Sequence, residues 1–442
     1  MLEDSESIGA AELDRLFARC FADRPHDRFA LAVSGGSDST ALMVLMAEWI
    51  GLTGRSLEAC TVLTVDHRLR PESASEAEAV ARQAAALGLR HVILVWDGDK
   101  PRTGLQAAAR AARYRLMAAY AGAHDIGAIC TAHTQDDQAE TLLMRLARGS
   151  GLDGLSVMAP VGSLPNGDPI GGDRLVIVRP LLEVSKTRLQ ATLRQRGIGW
   201  IEDPSNASPA FERVRLRSAR AALDSLGLTP AMLGLSARRL QQARVALDRW
   251  VCDLLDPAAG VVEVHACGFI SIDRHRLGAL PEGIVVRLLN RAMAAAGGAG
   301  EPVPLAAVEA IVREVLDGQA SGTWTLARAM VTASSGRLLV EREPGREPLP
   351  VRSLSPGTTA VWDGRFRISV DRRAEPVEVR ALGVEGVREL RTRIEVPADI
   401  PVGSLRAVPS FSRGDHLLAV PPLGFWADGD ARTQLAATFL GL

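Results

Sequence analysis

The sequence predicts an α/β protein: an N-terminal doubly wound parallel sheet, a mostly helical middle domain and a small β-rich C-terminal domain. Three observations carry that expectation. A length of 442 residues is enough for about three domains. From about residue 28, short apolar runs alternate with helix-like stretches, the rhythm of a parallel sheet covered on both faces. After a Pro/Arg/Glu linker at 343–350 the pattern changes to short strand-like runs with turns such as Trp362-Asp363-Gly364. The domains are therefore drawn at 1–228, 229–345 and 350–442.

The N-terminus, MLEDSESIGA, is acidic where a signal peptide would be basic, and the long apolar run at Ala41–Leu52 is interrupted by Glu48. The expected location is the cytoplasm, with no membrane partner. The first four strands are read at Phe29–Val33, Cys60–Val65, Val92–Trp96 and Ala128–Ala132. Each runs into a polar segment: Ser34–Ser39, Asp66–Arg70, Trp96–Gly104 and His133–Asp137. In a parallel sheet these segments converge beyond the carboxyl ends of the strands, where ligands bind. Residues 150–172, rich in Gly, Pro, Asn and Asp, read as a surface loop before a strand at Leu175–Val178. A helix near Ser185, an Arg-rich stretch through Arg220 and a break at Gly227–Pro230 close the first domain. One long helix is read at 231–256, a turn at the GGAG run before Glu301–Pro304, and strand-like alternation over Thr323–Glu341.

Composition excludes several classes. Hydrophobic residues at 47% and charged residues at 23% exclude a disordered or collagen-like chain. A formal charge of −1 supplies no global field for nucleic acid, so any basic surface is local. Only Lys100 and Lys186 are lysines, so 49 of the 51 basic residues are arginine, a bias that reads as genome composition. The five cysteines are scattered without a CxxC pair, which supports neither a disulfide framework nor a zinc site.

The chemistry-bearing segments follow the strands. Ser34-Gly35-Gly36-Ser37-Asp38-Ser39 lies between a strand and a helix, where glycines let backbone amides approach an anion. No GK[ST] follows, so hydroxyls and amides would hold phosphates without a loop lysine, leaving Asp38 for Mg²⁺. The plain alternative is a tight turn with a Ser/Asp cap. Arg110, Arg113 and Tyr114 share a helix face that could grip a phosphate or an exposed base, or be merely solvated. Asp136, Asp137 and Glu140 stand near a helix start beside His133; capping accounts for one or two of them, not for all three. Between Lys186 and Arg220 there are eight basic and three acidic residues, an RNA-backbone patch or a salt-bridged surface. No serine sits in a nucleophile elbow, which argues against a hydrolytic triad.

SGGSDS in this context resembles the loop of the PP-loop ATP pyrophosphatase superfamily, also described as adenine nucleotide α-hydrolase-like. Val65–Arg70, Gln106–Tyr114, Ala132–Thr141, Arg148–Gly151, Arg179–Leu182 and Glu202–Asn206, in that order, resemble the tRNA(Ile)-lysidine synthetases within it. The resemblance spans about 28–220. It implies ligation of lysine to C2 of a wobble cytidine in tRNA(Ile), through an adenylated base, with ATP and Mg²⁺. Its implied partners are tRNA(Ile) and free L-lysine, and a homodimer is one expected assembly. It assigns Ser34, Gly35, Gly36, Ser37, Asp38 and Ser39 to ATP, and Asp38 to the metal. Asp38, Asp137, Glu140 and Arg217 become catalytic, while His67, Arg110, Arg113, Tyr114, His133, Asp136 and Arg213 face substrate and tRNA. Two positions depart from the family pattern: Thr134 stands where a second histidine is usual, and Val214 where an asparagine is usual. The rival readings are a tRNA thiolase of the same superfamily, which would call for reactive cysteines, a nucleotide-binding regulator without catalysis, and a small-molecule amide ligase.

Overall fold

The computed structural model describes residues 6–21, 28–101, 103–164, 175–202, 212–298, 303–317, 321–345 and 348–442. The sequence motif at Asp203–Asn206, part of the 150–172 loop and part of the GGAG run lie outside them. The chain divides into two compact units, Met1–Val245 and Ala246–Leu442. No helix among the described residues is long and apolar enough to cross a membrane.

The first unit opens with α1 (Ala10–Phe21), β1 (Phe29–Ala32), α2 (Ser37–Thr53), β2 (Cys60–Asp66) and α3 (Ser73–Ala86). It continues through β3 (Arg90–Val95), α4 (Leu105–Ala123), β4 (Ala128–Cys130), α5 (Gln135–Ala147), α6 (Leu152–Leu155), β5 (Val161–Ser163) and β6 (Val176–Val178). Three helices follow, α7 (Lys186–Gln195), α8 (Glu212–Ser218) and α9 (Arg220–Ser225), and then α10 (Pro230–Leu254), which begins in this unit and ends in the next.

Six strands form one sheet in the order β3-β2-β1-β4-β6-β5, parallel except for β5, which runs antiparallel to β6 at the edge. The doubly wound sheet read from the sequence is therefore present, with an added edge strand inside the segment read as a loop. Side chains alternate across it. Phe29 and Leu31 enter the core beneath α1, α2 and α7, while Ala30 enters the opposite core beneath α4. Helix α2 is apolar nearly all round because it lies under the others, and Trp49 within it packs 5.6 Å from Phe17 and 5.2 Å from Phe21. Since β1 is followed outward by β2 and β3, and the chain then returns to β4 on the other side, strand order reverses between β1 and β4. That reversal opens a crevice at their carboxyl ends.

The second unit holds a five-stranded antiparallel sheet that joins 262–264, 270–273, 322–326, 329–333 and 337–342. Its core includes Ile284, Leu288 and Met293 of the helix Glu282–Gly297 and Val308 and Val312 of Leu305–Leu316. Beyond 350 lie a further five-stranded sheet and a three-stranded sheet around Trp362, Phe366 and Phe411. The turn at Trp362-Asp363-Gly364 is a structural hub. Asp363, with φ +51°, is fully buried and pairs with Arg365 (2.7 Å), Arg342 (3.1 Å) and the more exposed Arg328 (2.6 Å). Asp363→Ala strands two buried guanidinium groups, so denaturant unfolding is expected to show a loss of about 3–5 kcal/mol. A loss under about 1 kcal/mol would mean that water compensates those arginines.

Candidate functional site

Only residues 33–36 separate β1 from α2, and each has a fixed task. Gly35 sits at φ +88°, where a Cβ would come within 2.7 Å of Ile201 Cδ1 and 3.1 Å of Val80 Cγ2. Its carbonyl accepts from the Ile201 amide (2.9 Å) and the Thr40 hydroxyl (3.1 Å), which pins the turn from both sides. Gly36 is the N-cap of α2 and brings no side chain to cap it. The Ser39 hydroxyl takes over the bracing: it accepts from the Ser34 amide (3.1 Å) and donates to the Gly36 carbonyl (3.0 Å). A long helix thus presents amides without a side-chain cap at the β1–β4 crevice, the physical requirement for holding an anion.

Asp38 stands in the first turn of α2, takes the Ser37 hydroxyl at 3.0 Å, and meets Lys186 Nζ at 3.2 Å. Burial pushes its carboxyl up, Lys186 opposes that shift, and Asp137 adds to it. Among the described residues no group of three or more His, Cys, Asp or Glu side chains forms a metal cage. One carboxylate beside a turn with uncapped helix amides nevertheless fits Mg²⁺, which commonly uses one or two carboxylates together with substrate phosphates.

Across the crevice, Thr134 is the N-cap of α5 and Asp137 its third residue, joined in a reciprocal capping box. The Thr134 amide and hydroxyl donate to Asp137 Oδ2 at 2.9 and 3.0 Å. The departure from the family pattern at 134 therefore has a local function: the hydroxyl fixes the Asp137 carboxylate. Glu140, one turn on, receives Arg217 Nε at 2.6 Å and Nη2 at 3.2 Å. Burial raises the Glu140 carboxyl while Arg217 pulls against the shift. Arg213 lies 3.9 Å from Glu140 and 4.0 Å from Asp137. Asp136 accepts the Lys186 backbone amide (2.8 Å) and Arg220 Nη1 (3.2 Å). Asp38, Asp136, Asp137, Glu140, Arg213 and Arg217 are thus brought into one charged cluster.

The basic stretch from Lys186 to Arg220 serves two purposes. Arg188 pairs bidentately with Glu12 at 2.8 Å through each nitrogen, and Arg196 with Glu48 at 2.5 and 2.8 Å, holding α7 against α1 and α2. Lys186, Arg213, Arg217 and Arg220 instead reach the crevice carboxylates.

The remaining predicted residues stand on the cationic side. Tyr114 is 6% exposed and belongs to the core under α4; its ring carries the Arg110 guanidinium 5.1 Å above it, so it orients that arginine and leaves little ring surface free. Arg113 is exposed beside it. His67 meets Trp96 edge-on at 5.7 Å, and both of its ring nitrogens are buried without a protein partner. Burial, followed by Arg113, brings its pKa down to about 4. His133 shares a 2.9 Å hydrogen bond with Thr131, and burial brings it also to about 4, with Asp137 pulling upward and Arg179, Arg110 and Arg213 pushing down. His133 thus feels both halves of the crevice. Arg110 Nη2 donates to the Tyr114 hydroxyl at 3.4 Å, within this group rather than to the carboxylate cluster.

Lys186, Arg220 and Arg179 have no individual site role in the sequence reading. Lysine scarcity could have singled out Lys186. Arg179 is 8% exposed and donates to the Ala159 carbonyl at 3.0 Å, and its place in the Arg-Pro-Leu-Leu motif is the only signal for it. For Arg220 nothing local distinguishes it from its neighbours. Cys20, Cys60, Cys130 and Cys267 are buried, and burial pushes their thiols up, away from the reactive thiolate.

Comparison with known proteins adds four findings. Residues 10–221 match the model of the PP-loop domain family. The chain is 42% identical over 364 residues to a tRNA(Ile)-lysidine synthase of Bradyrhizobium sp. (strain BTAi1), covering 78% of this chain and 97% of that one. It is 36% identical to a tRNA(Ile)-lysidine synthase of Ruegeria pomeroyi, covering 95% and 94%. Among solved structures, the U34-tRNA thiolase NcsA from Methanococcus maripaludis is similar at 12% identity and a TM-score of 0.43, covering 53% of this chain and 79% of that one.

The two histidines give a pH test. Their folded pKa values lie below the ordinary 6.5, so between about 4 and 6.5 the unfolded chain binds more protons. Stability is expected to be fully present above pH 6.5 and to fall as pH drops towards 4. Imidazole NMR signals of both rings should titrate with midpoints of about 4. A midpoint near 6.5 for His133 would show that its ring is open to water.

Proposed function

The chain belongs to the tRNA(Ile)-lysidine synthase family of PP-loop enzymes, ligases that use ATP to modify tRNA, and on that premise we propose its reaction and the residues that perform it. The substrate is the wobble cytidine of tRNA(Ile) with a CAU anticodon. Its C2 carbonyl oxygen attacks the α-phosphorus of ATP and expels pyrophosphate. The ε-amine of free L-lysine then attacks C2, the C2–O bond breaks, and the oxygen leaves with AMP. Adenylation is needed because the carbonyl oxygen is otherwise a poor leaving group. The observation that carries this reading is the α2 N-terminus without a side-chain cap opening on the same crevice as Asp137 and Glu140.

Ser34 to Ser39 bind the phosphates through first-turn amides and hydroxyls, and Asp38 holds Mg²⁺. Held there by Asp38, Mg²⁺ would supply charge neutralisation for the phosphates. Asp137 and Glu140 receive the amine of lysine. That amine must shed a proton to attack, and a carboxylate raised by burial is suited to take it. Arg213 and Arg217 face tRNA from α8. His67, Arg110, Arg113, Tyr114, His133 and Asp136 position nucleotide and base, with His133 acting as a neutral hydrogen-bonding ring. The target base leaves its stack to be reached at the catalytic domain, 1–228, and the parts at 229–345 and 350–442 hold the tRNA body. The reading includes a cytoplasmic location and allows a homodimer. Four of the five cysteines are buried and the exposed one, Cys252, has no CxxC partner, which counts against thiolation.

Incubation with ATP, tRNA(Ile) and labelled lysine is expected to give RNA-bound lysine without sulfur. Label transferred with no RNA present would favour the amide-ligase reading. Asp38→Ala should lower adenylation by roughly 100-fold or more with little change in unfolding midpoint; normal activity would remove the metal role. Arg217→Ala should raise KM for tRNA more than KM for ATP, and equal effects would count against contact with RNA.

A further inference from the structure

We infer that Lys186 is the cation of the phosphate turn, its ammonium passing from Asp38 to the β- and γ-phosphate oxygens of ATP and remaining with the departing pyrophosphate. The inference rests on the reading of residues 34–39 as a nucleotide turn and adds the group that this turn lacks. Four observations carry it.

The first is reach. Lys186 Nζ already stands 3.2 Å from Asp38, in the first turn of the helix whose amides face the anion. The second is anchorage. Lys186 is the first residue of α7, after Ser185 as N-cap, and its own amide is held by Asp136 at 2.8 Å. Arg188 and Arg196 tie the same helix to Glu12 and Glu48, so the base of the side chain is fixed. Third, its head is loose by comparison: the side chain is 44% exposed and, among the described residues, meets Asp38 through one donor–acceptor contact, whereas Arg217 holds Glu140 through two nitrogens.

The fourth observation is identity. In a chain with 49 arginines and two lysines, this position is one of the two. The other, Lys100, lies 3.9 Å from the centre of the Trp96 ring. A guanidinium here would lock onto Asp38 as a fork. An ammonium is a point charge with three rotatable donors, able to change partner over a short distance. A triphosphate brings several negative charges against the single one of Asp38, and a divalent cation competes with the ammonium for that carboxylate. Both effects release Lys186 in the same direction, towards phosphate.

Because only two side chains carry ε-amines, amine-reactive labelling of the full chain, read by mass spectrometry, reports on Lys186 with Lys100 as an internal reference. With Mg²⁺ and inorganic pyrophosphate at a concentration that calorimetry shows to be saturating, Lys186 should be modified about tenfold more slowly and Lys100 at an unchanged rate. An unchanged Lys186 rate at saturation overturns the inference. In a second measurement, Lys186→Ala should weaken binding of a non-hydrolysable ATP analogue by about 10- to 100-fold, with Lys186→Arg in between. Wild-type affinity in Lys186→Ala overturns it equally. If pyrophosphate and the ATP analogue both fail to bind wild-type protein, the nucleotide reading of the turn is what fails.

Discussion

Four carboxylates around one crevice are the constraint on which the catalytic unit depends. Asp38, Asp136, Asp137 and Glu140 are all largely shielded from water, with side chains 25%, 22%, 17% and 10% exposed. Like charges this close repel one another, and burial raises the carboxyls of Asp38 and Glu140, so folding must bring cations to the cluster. The segment after β6 does so. Lys186 reaches Asp38, Arg217 reaches Glu140 and Arg220 reaches Asp136, while Asp137 is held by the start of its own helix. The docking of α7 and α8 is thus electrostatic at the crevice, and α7 is anchored behind it by Arg188 and Arg196.

Much of this was legible before any coordinates. Parallel strands buried on both faces must be apolar throughout, so Phe29–Ala32, Cys60–Asp66 and Ala128–Cys130 stand out within a residue or two of their ends. The glycine turn is legible because positive φ and close approach demand glycine at 35. The edge strand at Val161–Ser163 was not, since three residues of mixed character in a Gly/Pro-rich stretch acquire their structure only by pairing with β6. Local pattern carries no information about such a pairing.

The site was legible in its residue types and less so in its pairings. Asp137 has a double role because capping and charge placement coincide at the third residue of α5, which spacing alone presents as alternatives. Tyr114 has the right position on its helix, but the direction of its ring depends on how α4 meets the sheet. Lys186 lies 148 residues from Asp38, and no periodicity spans that separation. Its rarity was visible and was absorbed into a compositional explanation. A residue type that is nearly absent is informative wherever it does occur.

The arginines sort by what their loss would release. Arg188 and Arg196 join helices to one another, so altering them would loosen the scaffold. Arg217, in contrast, answers only a crevice carboxylate and stands on a short helix with no buried residue. The Glu140–Arg217 pair can therefore be rewritten as a unit while the tie beams of the domain stay in place.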